Sequence, residues 1–161
     1  MYPIDDRDKI VAFGKVPQHS PGAPMPLIIA NDVGLLLLYE VAPDGAELVV
    51  LKFTRACAHS FGPPNDEALA GHPLALRGLR RYSTFEVIDS SWVRALERMN
   101  RVHPLHNEGR FRRLRHLVFT FHDNTFECIA EDVIVAARQP NTPEAVASFL
   151  HNATALLSDP L

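Results

Sequence analysis

The chain has 161 residues, enough for one domain to bury a core without disulfides or a metal. Hydrophobic residues make up 47% and charged residues 22%, with a formal charge of −3, a balance that carries no overall basic bias toward nucleic acid or a membrane surface. Two cysteines, Cys57 and Cys128, exclude a disulfide scaffold and lack zinc-type pairing, so a reducing cytoplasm is the expected setting.

The opening residues Met-Tyr-Pro-Ile-Asp-Asp-Arg-Asp are acidic and hold no apolar leader core. No apolar run, residues 35–38 included, is long enough to span a bilayer. Residues 17–26 are rich in proline, and the spacing predicts a partly extended arm over 1–26 within a single domain of 1–161. Residues 34–41 and 47–53 flank Ala42-Pro43-Asp44-Gly45, which predicts a β-hairpin; the flanking runs do not alternate, as in strands covered on both faces. A long connection over 55–80 is expected to hide local structure, with Asn65 capping a short helix, Asp66 and Glu67 in its first turn and Gly71 ending it.

Residues 82–88 read as a strand. Asp89 or Ser90 then caps a helix to about residue 100, with Trp92, Leu96 and Met99 as its apolar stripe, and 102–111 reads as loop. Residues 115–121 and 125–135 read as a second hairpin. Thr142-Pro143-Glu144 opens a C-terminal helix in which Val146, Phe149, Leu150, Ala153, Leu156 and Leu157 keep helical spacing. The sum is an α+β fold: an antiparallel sheet of about five strands, barrel-like curvature left open, and two main helices, the C-terminal one packed on the sheet.

A two-residue turn at Asp123-Asn124 would place His122 opposite Thr125, Thr120 opposite Glu127, Val118 opposite Ile129 and His116 opposite Glu131. Alternation then gathers these eight residues on one face. Leu117, Phe119, Phe121, Phe126, Cys128 and Ala130 take the other, so Cys128 is expected in the core as an inert thiol. One more turn residue would flip the register and undo the sorting.

Polar groups concentrate in residues 59–73 and 115–128. A histidine beside a carboxylate titrates near neutrality and shuttles protons, so His59, His116, His122 and Glu127 are the candidate catalytic residues. Asn65, Asp66, Glu67, His72 and Thr120 are candidate ligand-binding residues, although a helix start already accounts for Asp66 and Glu67. No His-x-His, Cys-x2-Cys, His-Glu-x2-His, Gly-x-Ser-x-Gly or phosphate-loop pattern occurs; no metal is assigned and no cofactor is indicated.

Residues 77–115 carry ten arginines against Glu86, Asp89, Glu97 and Glu108, which suits a solvated basic face, an anion site or a partner surface. The expectation is a small-molecule-binding protein or small enzyme, its pocket lying between the 59–73 loop and the 116–131 hairpin and its ligand small and polar or anionic. The alternative is a non-enzymatic interaction or accessory protein using the 77–115 surface. Neither nucleic acid nor membrane is an expected partner, and self-association is open.

The runs Phe61-Gly-Pro-Pro-Asn-Asp-Glu-Ala68 with Gly71-His-Pro-Leu74, and Arg115-His through Phe119-Thr-Phe-His-Asp123 to Thr125-Phe-Glu-Cys-Ile-Ala130, resemble a group of short bacterial hypothetical proteins. The resemblance covers about residues 55–135. It implies a bacterial cytoplasmic origin and brings no activity, cofactor or catalytic residue with it. A composition rich in Ala, Arg and Leu and poor in Lys fits a high-GC bacterial genome.

Overall fold

In the computed structural model residues 2–22 and 24–158 are described; Met1 and Ala23, both within the expected arm, and 159–161 lie outside the described residues. Among these described residues nine strands form two antiparallel sheets. In chain order the elements are β1 (Lys9–Ala12), β2 (Leu27–Ala30), β3 (Leu35–Glu40), β4 (Glu47–Thr54), β5 (Ala58–Gly62), β6 (Ser83–Ile88), α1 (Ser91–Asn100), α2 (Glu108–Phe111), β7 (Arg115–Thr120), β8 (Thr125–Ala130), β9 (Asp132–Pro140) and α3 (Pro143–Ser158). One sheet runs β1-β6-β7-β8-β5 and the other β2-β3-β4-β9. The α+β class, the antiparallel pairing and the helix on the sheet stand as expected. The strands are more numerous than the expected five and are divided between two open sheets, with no closed barrel.

The division explains why β3 and β4 do not alternate. Leu35, Leu37 and Tyr39, with Val49, Leu51 and Phe53, face the other sheet and join Leu117, Phe119, Phe121, Phe126, Cys128 and Ala130 in the inter-sheet core. Leu36, Leu38, Leu48 and Val50 face the opposite way and bury Phe149, Ala153 and Leu157 of α3. Each strand therefore serves two cores, one per pleat face. The Thr142 hydroxyl caps α3 by accepting from the Ala145 N–H (3.2 Å), and Leu150 of the expected stripe is 51% exposed. Lys52 reaches across to donate to the Leu156 carbonyl near the helix end (2.7 Å), where the helix dipole favours a cation. Gly34 lets the hairpin pass under α3: a β-carbon there would lie 2.9 Å from Leu157 Cδ2.

Besides the β1–β2 connection, the chain changes sheet twice, both times at one corner. β4 leads through Arg55 (φ 49°) into β5, and β8 leads through Glu131 into β9. The Glu131 N–H donates to the Thr54 carbonyl (2.9 Å), and Arg55 pairs with Glu131 (3.2 Å). The second strand of the expected 125–135 arm is thus two strands in two sheets.

The outer face of the five-stranded sheet carries a third apolar cluster of Leu69, Leu74, Leu79, Phe85, Val87 and Val118. Its cover is the 63–80 connection, which folds into two 3-10 turns, Leu69–Gly71 and Ala75–Arg77. The 102–111 segment, expected as loop, contains α2, capped by Asn107. Met99, placed in the core stripe of α1 by spacing, is 71% exposed, because it borders an open groove and not a packed layer. The Pro-rich arm is tied to β3 by a Ser20 N–H to Glu40 carbonyl bond (2.8 Å) and by the Tyr39 hydroxyl on the Pro17 carbonyl (2.6 Å); further upstream it supplies β1.

Candidate functional site

The β7–β8 register decides which polar side chains meet. The turn occupies residues 121–124, closed by a Phe121 N–H to Asn124 carbonyl bond (2.9 Å), and pairs Thr120 with Thr125, Val118 with Glu127 and His116 with Ile129. Relative to a two-residue turn the strands slide by two positions, which preserves the faces. His116, Thr120, Thr125 and Glu127 share the outer face, with the aromatic residues on the inner one. The expected His116–Glu131 pair does not form. Glu131, beyond the end of β8, binds Arg55 and Arg113, and the diagonal neighbour Glu127 takes its place beside His116.

Glu127 is the centre of a buried network. His116 Nε2 lies 2.9 Å from Oε2, His72 Nε2 lies 3.2 Å from Oε1, and the Tyr2 hydroxyl donates to Oε2 at 2.7 Å. The Leu74 N–H donates to His72 Nδ1 (3.1 Å), so the His72 ring hydrogen sits on Nε2 and points at the carboxylate. His116 Nδ1 lies 2.9 Å from the Ser90 Oγ, which also accepts from the Val93 N–H and so caps α1. Unlike a backbone amide, the Ser90 hydroxyl can donate or accept. Burial by itself would raise the Glu127 pKa, but the hydrogen bonds from His116 and His72, with that from Tyr2, outweigh it and hold the carboxyl at about 2. Burial, with Glu127 alongside, pushes the Tyr2 phenol far up. Tyr2 stacks on Trp92 (5.0 Å between centroids), and both rings meet His116 edge-on, closing the network from above.

Three of the candidate residues therefore converge: His72, His116 and Glu127. His59 does not join them. It pairs with Cys128 in register, which puts it on the opposite face, and it is exposed because β5 is an edge strand. His122 sits in the turn, half-buried beside Asp123 (3.0 Å), whose hydrogen bond raises its pKa. Thr120 is buried but committed to backbone: it accepts from the Ser83 N–H (3.1 Å) and donates to the Arg80 carbonyl (2.7 Å). Asn65 closes a turn on the Ala68 N–H (3.0 Å). Asp66 accepts from the Tyr82 hydroxyl, which draws its pKa down, and Glu67 is exposed. Cys128 is fully buried and burial pushes its thiol well up; Cys57 is exposed. Among the described residues no group of three His, Cys, Asp or Glu side chains is placed to hold a metal ion. No helix among them is long and apolar enough to cross a membrane.

Sequence reasoning missed Tyr2 and the second role of Ser90, since neither carries a periodic or motif signal. It also missed His19, buried against Phe121 (4.6 Å) and Tyr39, where burial lowers its pKa.

Ser90 also lines a cleft of about 630 Å³ between α1 and the α2–β7 segment. Arg7, Arg94, Arg98, Arg101, Arg112, Arg113 and Arg115 line it against Glu86, Asp89, Glu97 and Glu108. Each acid already holds an arginine: Glu86 with Arg115 (2.5 Å), Asp89 with Arg94 (2.8 Å), Glu97 with Arg101 (2.9 Å) and Glu108 with Arg112 (2.8 Å). The other three guanidiniums have no close carboxylate partner within the cleft among the described residues. Arg7 makes only long contacts of 3.8 and 3.9 Å, Arg113 turns out to Glu131 at 3.4 Å, and Arg98 has no ion pair among the described residues. No family model, curated protein or solved structure matches the chain.

Proposed function

We propose that the protein binds a small, multiply charged anion in the arginine-lined cleft. The observation that carries this reading is the surplus of three guanidiniums over carboxylates in one concavity of metabolite size. Guanidinium forks match phosphate and carboxylate geometry, and exposed ion pairs are weak enough for a ligand to recruit their arginines. The small anionic ligand expected from sequence keeps its chemistry under this reading. Its seat lies beyond Ser90, in the 77–115 region, and not over the His72–Glu127 cluster. A bacterial cytoplasm is the setting we propose, supported by the free thiols and by the resemblance of residues 55–135.

Arg98→Glu should weaken pyrophosphate binding at least tenfold in calorimetric titration, the range of about 1.5–3 kcal/mol that a charged hydrogen bond contributes, and should leave the thermal midpoint unchanged because Arg98 is exposed. A wild-type protein that binds neither pyrophosphate, citrate nor inorganic phosphate at millimolar concentration would remove the reading.

A second reading, an enzyme that moves protons on the bound anion, has one specific observation behind it. Ser90 reaches from the cleft wall to His116 Nδ1, and His116 reaches Glu127, an unbroken path from cleft to buried carboxylate. Anion binding should then move the His116 imidazole resonances in an NMR titration; resonances that stay fixed at saturation count against the path.

A further inference from the structure

A second hollow, of about 350 Å³, lies against the arginine cleft. Leu96, Met99, Phe111, Leu114 and Cys57 make it mainly apolar, with Arg110 among the residues that line it. Phe111 and Leu114 line the arginine cleft as well, so the two concavities share a wall. Helix α1 divides its faces between them. Arg94, Arg98 and Arg101, at i, i+4 and i+7, line the cleft, whereas Leu96 and Met99, at i and i+3, line the hollow. Arg98, which has no ion pair among the described residues, and the exposed Met99 are sequence neighbours on the two sides of that divide.

A cationic seat that adjoins an apolar one across Phe111 and Leu114 fits a ligand that is itself divided. We infer that the anion bound by this protein is amphipathic: a phosphate or carboxylate head among Arg98, Arg113 and Arg7, and a short alkyl or aromatic tail carried past Phe111 and Leu114 onto Leu96 and Met99. This rests on the anion-binding reading above and adds the tail. The occupant is a free, monomeric amphiphile, because the apolar groove adjoins the arginine cleft through Phe111 and Leu114.

Calorimetric titration of the full chain with ethyl phosphate and with octyl phosphate, the latter kept below its micelle concentration, tests the tail. Each methylene that enters the hollow should tighten binding about fourfold, so octyl phosphate should bind at least tenfold tighter than ethyl phosphate. Met99→Asn, at an exposed position, should remove several-fold of that gain and leave ethyl phosphate unaffected, whereas Arg98→Glu should weaken both ligands. Ethyl and octyl phosphate binding equally, or a gain that survives Met99→Asn intact, would overturn the tail and leave the anion site standing. Binding to phosphatidylglycerol vesicles without any gain for monomeric octyl phosphate would overturn it too. If neither alkyl phosphate binds and pyrophosphate, citrate and inorganic phosphate fail as well, the anion site fails along with it.

Discussion

Replacing Glu127 by glutamine should lower the unfolding free energy by about 3–5 kcal/mol, the cost of breaking a buried, multiply bonded charge. Three donors converge on this carboxylate, from His72, His116 and Tyr2. An amide offers one accepting oxygen and turns an NH2 toward the remaining donors, so at least one buried N–H or O–H loses its partner. The same substitution should change the response to acid. The folded-state pKa of about 2 lies below the ordinary value of 4.5, so the stabilisation is present above pH 4.5 and is lost as the pH falls toward 2. That difference is worth on the order of 3 kcal/mol. Urea unfolding at pH 7, 4.5 and 3 should show the wild type weakening across the last interval and Glu127→Gln weakening much less. Equal acid slopes for the two proteins would show that the carboxylate is not held as described.

Phe119→Ala should cost about 3–5 kcal/mol, near the upper range for a core truncation. Phe119 has no exposed surface and touches rings from both sheets: Tyr39 and Phe53 on one, Phe126 on its own, and Phe121 at the turn, with centroids 5.7–6.3 Å away. Removing it opens a void where the two sheets meet, and neighbours held by the β7–β8 and β3–β4 ladders cannot collapse into it. The urea midpoint should fall while the slope of the transition stays the same. Leu76→Ala, at a side chain that is 99% exposed, should leave the midpoint within about 0.5 kcal/mol of wild type. A Phe119→Ala midpoint as close to wild type as that of Leu76→Ala would contradict the inter-sheet core.

The elements that could be read from sequence are those whose signals are local. Ala42-Pro43-Asp44-Gly45 between two apolar runs marked the first hairpin, and Thr142-Pro143 marked the start of α3. Glu131 gave no warning of the corner it makes, since Ala130-Glu131-Asp132 contains neither Gly nor Pro and reads as uninterrupted strand. The faces of β7 and β8 survived a wrong turn length because the error was two residues, one full pleat period. His59 went to the other face because its partner strand, β8, was not visible from residues 58–62. Tyr2 reaches the network through a pairing between β1 and β6 that no local pattern announces. The arginine excess of 77–115 was plain as charge, but turning it into a cleft required α2, a four-residue helix too short for periodicity to reveal.

The double crossing at Arg55 and Glu131 also governs the order in which the molecule can be made. β1 finds its partner at residues 85–88, β5 at 125–129 and β4 at 132–140, so neither sheet is complete until strands far apart in the chain have been synthesised. Pairings this distant must be closed before they are rewarded, which places folding in the slow, millisecond-to-second range typical of β-rich domains. On a ribosome adding about 5–20 residues per second, the N-terminal half would emerge with strand edges still unpaired, and would depend on the last third of the chain to cover them.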